Sequence, residues 1–253
     1  MIREAIDKLK EENKKAFVPY IMCGDKSIEY TKQTILKLAE IGATAIEIGV
    51  PFSDAVADGD RIQEAGNRAI ANGVNLKIIF KMISEVREKS SVPLILMTYL
   101  NPIINYGIKE FFRDMEKVKA NGLIVPDLPL EEFDFILPHI EGKNISLIPL
   151  CSITSGEDRI EKLSLAGNGF LYAVTVAGVT GARKSFNDDT MRFLKQAKGV
   201  SKLPVLAGFG ISTPEQAKQI SEICDGVVIG SKVMELVNSE DYESIEEIVA
   251  ALG

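Results

Sequence analysis

Ile46-Glu47-Ile48-Gly49-Val50-Pro51-Phe52-Ser53-Asp54-Ala55-Val56-Ala57-Asp58-Gly59 is an apolar strand that runs into an acidic loop. The continuous apolar run over 45–50 reads as a strand covered on both faces. Pro51 breaks it, and Gly59 closes the loop ahead of a helical pattern. One carboxylate, Glu47, stands inside the strand where an apolar residue is expected. An ionised carboxylate in such a place is costly unless it is paired or its proton affinity is perturbed. Glu47 is therefore the first candidate functional residue, with Asp54 and Asp58 in the loop beside it.

The same strand, loop and helix unit recurs outward in both directions. A helix over 2–13 precedes a strand over 16–23. Ser27 caps a helix that runs to 41, where Gly42 stops it, and the strand over 44–50 follows. A helical pair at 61–72 and 76–89 leads to a strand over 92–98, a loop over 99–107 and a helix over 108–120. A short strand at 123–125, a helix over 130–141 bent or ended by Pro138, a strand at 145–150 and a helix at 157–166 come next. The strand over 170–176 enters a Gly-rich loop before a helix at 188–198 and a strand at 203–207. Thr213-Pro214 opens a helix through 222, the strand at 226–229 follows, Gly230-Ser231 opens a short helix, and a last helix covers 244–252. Eight β–α units at roughly thirty-residue spacing fit a single (β/α)8 TIM barrel over 1–253, with an extra N-terminal helix and a short helix after strand eight. A doubly wound open sheet is the structural alternative, but its usual glycine-rich turn after strand one is reduced here to the lone Gly24.

Composition narrows the chemistry. With 253 residues, 46% of them hydrophobic, the chain can bury a sizeable core. A net charge of −7 argues against nucleic acid and anionic membranes as partners. No apolar run approaches the roughly 18 residues of a membrane span, and the amphipathic start lacks the apolar centre of a signal peptide. Three scattered cysteines (Cys23, Cys151, Cys224) read as reduced small hydrophobes of a cytoplasmic protein. His139, the one histidine, reads as a surface residue, so a His-rich metal site is excluded and no metal is expected. Acid–base work then falls to carboxylates or tyrosine.

Two glycine turns, Gly208-Phe209-Gly210-Ile211-Ser212 and Gly230-Ser231, follow strands seven and eight, and each precedes a helix. Bare backbone N–H groups at helix N-termini form an anion cradle, and in a barrel this pair of loops is a recurring phosphate site. A third loop, Ala177-Gly178-Val179-Thr180-Gly181-Ala182-Arg183, has the small residues of a lid, and Gly181 can add another N–H to the phosphate. Glu47 near the mouth, with a raised proton affinity, and a more solvated Asp58 form a pair suited to acid–base cleavage of a phosphorylated small molecule. Tyr20, Phe52, Tyr99, Tyr172 and Phe209 fall near strand ends, where they can line a flat aromatic pocket.

Glu47-Ile48-Gly49-Val50-Pro51-Phe52-Ser53-Asp54 with Ala57-Asp58-Gly59 resembles the signature of the tryptophan synthase alpha chain family. The likeness extends through Phe17-Val18-Pro19-Tyr20, Met97-Thr98-Tyr99, Asn101-Pro102, Val125-Pro126-Asp127-Leu128-Pro129, Ala177-Gly178-Val179-Thr180-Gly181 and the turn at 208–212, in matching order. The resemblance implies a barrel that cleaves indole-3-glycerol phosphate to indole and glyceraldehyde 3-phosphate. It implies Glu47 as general acid/base, Asp58 on the indole N–H, Thr180 closing onto Asp58, and Tyr172 positioning the catalytic carboxyl. Gly181, Gly210, Gly230 and Ser231 would hold phosphate; Tyr20 and Phe209 would line the substrate pocket. Asp54, Asn101, Pro102 and Asn105 would face a pyridoxal-phosphate (PLP) beta chain in an α2β2 heterotetramer, with indole channelled between the chains and no cofactor in this one. A non-catalytic activating subunit and another phosphate-binding barrel isomerase are the alternative readings. Ala55 and Asp60 depart from the family pattern, which commonly has proline at each, and both lie in the loop that carries Asp58.

Overall fold

The computed structural model describes residues 1–174, 188–208 and 210–253. The first half contains α1 (Ile2–Glu11), β1 (Ala16–Met22), α2 (Ile28–Ile41), β2 (Ile46–Gly49), α3 (Asp60–Ala71) and α4 (Leu76–Arg87). It continues through β3 (Leu94–Met97), α5 (Leu100–Tyr106), α6 (Ile108–Lys117) and β4 (Gly122–Ile124). A 3₁₀ turn (Leu130–Phe135) and α7 (Leu137–Ile140) lead to β5 (Ser146–Leu147), β6 (Leu150–Ser152) and α8 (Glu157–Ala166). Then come β7 (Leu171–Val174), α9 (Asp188–Val200), β8 (Val205–Gly208), α10 (Pro214–Ser221), β9 (Gly226–Ile229), α11 (Ser231–Asn238) and α12 (Tyr242–Ala250).

The strands form one sheet in the order β5-β4-β3-β2-β1-β9-β8-β7-β6, and each described pairing is parallel. Its two ends, β5 and β6, are pieces of the stretch expected as one strand at 145–150. Pro149 separates them, because proline has no N–H to give the ladder. The Ile148 N–H still donates to Leu123 O at 2.9 Å on one side, and the Tyr172 N–H to Pro149 O at 2.9 Å on the other. The sheet thus closes on itself, and nine strand segments occupy the eight positions of a TIM barrel.

Strand alternation divides the core in two. Phe17, Ile21, Ile46, Ile48, Leu94 and Leu96 face outward into the shell of helices. Ala16, Val18, Ala45, Ile95, Ile124, Phe170, Tyr172, Leu206 and Val228 face inward. The amphipathic start seen in the sequence packs Ile2 and Ile6 of α1 into that inner cluster, so α1 plugs the floor of the barrel. Ion pairs and hydrogen bonds staple the same end. Asp225 Oδ2 accepts from the Val205 N–H at 2.8 Å and pairs with Lys198. Arg87 donates to Val92 O at 2.7 Å and Asn121 Oδ1 at 2.9 Å.

The caps behave as the sequence indicates. Ser27 Oγ accepts from the Tyr30 N–H at 3.0 Å, and Gly42 ends α2 at φ 107. Three expectations are corrected. Residues 99–107 are not a loop but contain α5, whose first N–H, that of Leu100, donates to Asp127 from the neighbouring unit at 3.0 Å. The helix expected at 130–141 is the 3₁₀ turn followed by one short helical segment. His139 is not simply a surface residue: its ring stacks on Phe112 with centroids 5.6 Å apart and planes parallel.

Candidate active site

Glu47 answers to its strand before it answers to any ligand. In β2 the outward positions are taken by Ile46 and Ile48, so Glu47 and Gly49 point into the barrel. Its Cα lies in register with Tyr20 of β1 and Ile95 of β3. The residue is 1% exposed, and its Oε2 has no hydrogen-bond partner among the described residues. Burial, and secondarily the Asp58 charge, raises its pKa to about 8. A buried, inward-pointing carboxyl with an unengaged oxygen is poised to exchange a proton with a ligand.

Asp58 is brought to the same place by its loop. Two tight backbone contacts fold that loop: Val56 N–H to Asp54 O at 3.0 Å, and Asp58 N–H to Ala55 O at 3.1 Å. The Tyr99 hydroxyl accepts from the Ala57 N–H at 2.9 Å, and the Tyr99 ring lies 5.3 Å from that of Phe52. Gln63 Nε2 donates to Asp58 O at 2.8 Å from the first turns of α3. Half-buried in this cradle, the Asp58 carboxyl has its pKa raised by burial to about 6. Near neutral pH, Glu47 therefore keeps its proton while Asp58 is ionised. These tethers from Tyr99 and Gln63 were not legible in the sequence; only the register of the elements brings their polar ends to the loop. Asp60, the extra acid of the loop, is the first residue of α3, where negative charge opposes the helix dipole favourably.

Two tyrosines share the inward face with Glu47, Tyr20 on the neighbouring strand β1 and Tyr172 on β7. Tyr20 leans from β1 over Gly49, where a Cβ would lie against its hydroxyl and 2.6 Å from its Cζ. Tyr172 leans from β7 over Gly208, where a Cβ would collide with its ring. Glycine is required at both places by this close approach. Both phenols are held well above their ordinary pKa by burial first; next come Asp58 then Glu47 for Tyr20, and Glu47 then Asp58 for Tyr172. Both carboxylates thus lie within electrostatic reach of both tyrosines.

The glycine turns lie after the last two barrel strands. Gly210 adopts φ 78, a left-handed conformation suited to glycine. The Ser212 N–H is already engaged by Gln216 Oε1 at 2.8 Å. Gly230 opens α11 with no side-chain cap, so the first N–H groups of that helix are open to an anion. Ile62 Cδ1 and Tyr20 Cβ each lie 3.6 Å from where a Gly230 Cβ would stand, which ties this turn to the carboxylate wall. Thr180, Gly181 and Phe209 lie outside the described residues.

The expected partner residues separate into two surfaces on adjacent units. Asp54 is exposed in the loop after β2. Asn101, Pro102 and Asn105 all lie on α5 after β3, with Asn105 Nδ2 donating to Asn101 Oδ1 at 3.2 Å. The same two elements carry exposed apolar side chains that the sequence did not single out, Val56 at 76% and Ile104 at 48% exposure. Among the described residues, no group of three or more His, Cys, Asp or Glu side chains could hold a metal ion. No helix among them is long and apolar enough to cross a membrane.

Comparison with known proteins points to one family. A family model for the tryptophan synthase alpha chain matches residues 6–252. The tryptophan synthase alpha chain of Bacillus mycoides is 51% identical over 242 residues, covering 96% of this chain and 94% of the relative. That of Bacillus thuringiensis subsp. konkukian is 50% identical over 248 residues, covering 98% and 96%. Among solved structures, the tryptophan synthase alpha chain from Legionella pneumophila subsp. pneumophila superposes with a TM-score of 0.89 at 32% identity, covering 99% of this chain and 96% of that one. A structure of Mycobacterium tuberculosis tryptophan synthase gives a TM-score of 0.91 at 29% identity, covering 99% and 97%.

Proposed function

The chain belongs to the tryptophan synthase alpha chain family, and from that premise we propose how its residues carry out the family reaction. That reaction is the retro-aldol cleavage of indole-3-glycerol phosphate to indole and glyceraldehyde 3-phosphate. The chain is a lyase of tryptophan biosynthesis.

Glu47 gives its proton to the indole C3 carbon, leaving an iminium-like ring. The resulting carboxylate takes the proton of the chain hydroxyl on the carbon attached to C3. The bond from that carbon to C3 breaks, its electron pair returns to the ring, and an aldehyde forms. Glu47 ends protonated, so the proton count closes with no other acid or base. Asp58, ionised, accepts from the indole N–H and stabilises the positive charge that develops there. Tyr172 positions the Glu47 carboxyl. Gly210 with Gly230 and Ser231 at the head of α11 holds the phosphate, joined by Gly181; Thr180 closes the site over Asp58, and Phe209 lines the pocket with Tyr20. The single observation that carries this reading is the buried Glu47 carboxyl, with one oxygen unengaged, beside a half-buried Asp58.

The partner is a beta chain that carries PLP and receives indole, in an α2β2 complex in the cytoplasm; this chain itself uses no cofactor. Asp54, Asn101, Pro102 and Asn105 face that partner, and the exposed apolar Val56 and Ile104, carried on the same two elements, support the assignment. Incubation with indole-3-glycerol phosphate, alone and with a beta chain, releases indole or tryptophan. No turnover in either mixture overturns the reading. A complex that forms and activates its partner without cleaving the substrate would make the chain a non-catalytic subunit.

A further inference from the structure

No step of the cleavage above uses the hydroxyl of Tyr20. The residue is 4% exposed; its hydroxyl has no hydrogen bond to the described residues, yet it is not one of their sealed, unpartnered polar atoms, so it stays within reach of a ligand. Burial, then the Asp58 and Glu47 charges, holds the phenol well above its ordinary pKa, so it keeps its proton and can donate.

Its location is set by two glycines. Gly49 and Glu47 lie two residues apart on one strand and therefore share the inward face. The Tyr20 hydroxyl occupies the space a Gly49 Cβ would take, one step toward the mouth from Glu47. At the other end of the side chain, Tyr20 Cβ and Cδ1 stand 3.6 and 3.7 Å from the Cβ position of Gly230, which heads α11. The side chain thus reaches from the turn at Gly230 to Gly49, two residues beyond Glu47 on the same inward face. In indole-3-glycerol phosphate the same span is covered by the three-carbon chain, which carries two hydroxyls. Glu47 deals with the one next to the ring, and the middle one has no assigned partner.

We propose that the Tyr20 hydroxyl donates a hydrogen bond to the middle hydroxyl of the three-carbon chain, which makes Tyr20 a specificity-determining residue for a polyol phosphate. The inference rests on the function proposed above and extends it. It is tested by a cycle of two deletions on the enzyme with its beta chain: Tyr20→Phe in the protein, and removal of the middle hydroxyl from the substrate. The adjacent hydroxyl needed for cleavage remains in both substrates. Each single deletion lowers kcat/KM roughly five- to tenfold, the worth of one neutral hydrogen bond. The two together lower it no further than either alone, because the same bond has been removed twice. Losses that multiply, or a Tyr20→Phe enzyme equal to the wild type on both substrates, overturn the proposal. Folding of the variant does not limit the test: a wild-type enzyme with equal kcat/KM on the two substrates also overturns it. A wild-type enzyme that cleaves neither substrate overturns the function itself, whereas normal cleavage with no coupling removes only Tyr20.

Discussion

Glu47 and Asp58 carry predictions that follow from their proton affinities. Glu47 is raised to about 8 and Asp58 to about 6, each chiefly by burial. If Asp58 acts ionised and Glu47 starts protonated, kcat/KM rises through about pH 6 and falls through about pH 8. Asp58→Asn removes the acid limb and lowers the plateau on the order of a hundredfold or more, as loss of a charge-stabilising group does. A pH-independent acid side in the parent would contradict the Asp58 role. Both raised values also bear on stability. A carboxyl that binds its proton more tightly folded than unfolded favours the folded state at pH below its unfolded pKa, and that contribution is lost as pH rises through the folded value. Glu47→Gln abolishes cleavage and raises Tm relative to the parent more at pH 9 than at pH 5. Melting curves at the two pH values, with an indole-release assay, check both halves. Gly49→Ala drives a Cβ into Tyr20 and is expected to cost about 1–3 kcal/mol of stability together with most of the activity. Unchanged denaturant unfolding would contradict the packing described for that pair. The sequence marked Glu47 because a charge in an apolar strand is conspicuous. It did not mark the partnership of Tyr20 with Gly49, since no residue type advertises which neighbouring ring will lie over it.

At the scale of elements, α5 shows how a helix can depend on another unit. Nothing before Leu100 in the chain caps it, and the Tyr99 side chain makes no cap bond. Asp127, in the loop after β4, accepts from the Leu100 N–H with both carboxylate oxygens, at 3.0 and 3.2 Å. Local signals such as Asn101-Pro102 and the glycine at 107 read as a loop, because the cap comes from 27 residues away. Asp127→Ala is expected to remove about 1 kcal/mol of capping and to fray the helix that presents Asn101, Ile104 and Asn105. Hydrogen exchange at the α5 amides speeds up, and affinity for the beta chain falls. Exchange rates equal to those of the parent would show that the helix stands without Asp127. By contrast α2, capped by its own Ser27 and stopped by Gly42, was legible from end to end.

The whole molecule is a closed barrel with a floor and a mouth. The floor is sealed by Ile2 and Ile6 of α1 against the inner cluster. Ile6→Ala leaves a cavity there and is expected to destabilise by about 2–5 kcal/mol in chemical denaturation, with kcat changed little because the chemistry lies at the opposite end. A loss under 1 kcal/mol would mean that α1 does not plug the barrel. The repeat of strand, loop and helix, the glycine turns after the last two strands, the lone inward carboxylate and the acidic loop were all readable along the chain. They depend on residues close in sequence: alternation, caps, breakers and turns. The family likeness was readable for the same reason, as runs of adjacent residues in order. Only the tertiary structure decided that Pro149 splits a strand without opening the barrel, that Tyr99 and Gln63 hold the Asp58 loop, and that Tyr20 reaches from Gly230 to Gly49. Each of these joins residues from different β–α units, and their meeting is set by strand register and barrel closure, which are properties of the assembled sheet and of no single segment.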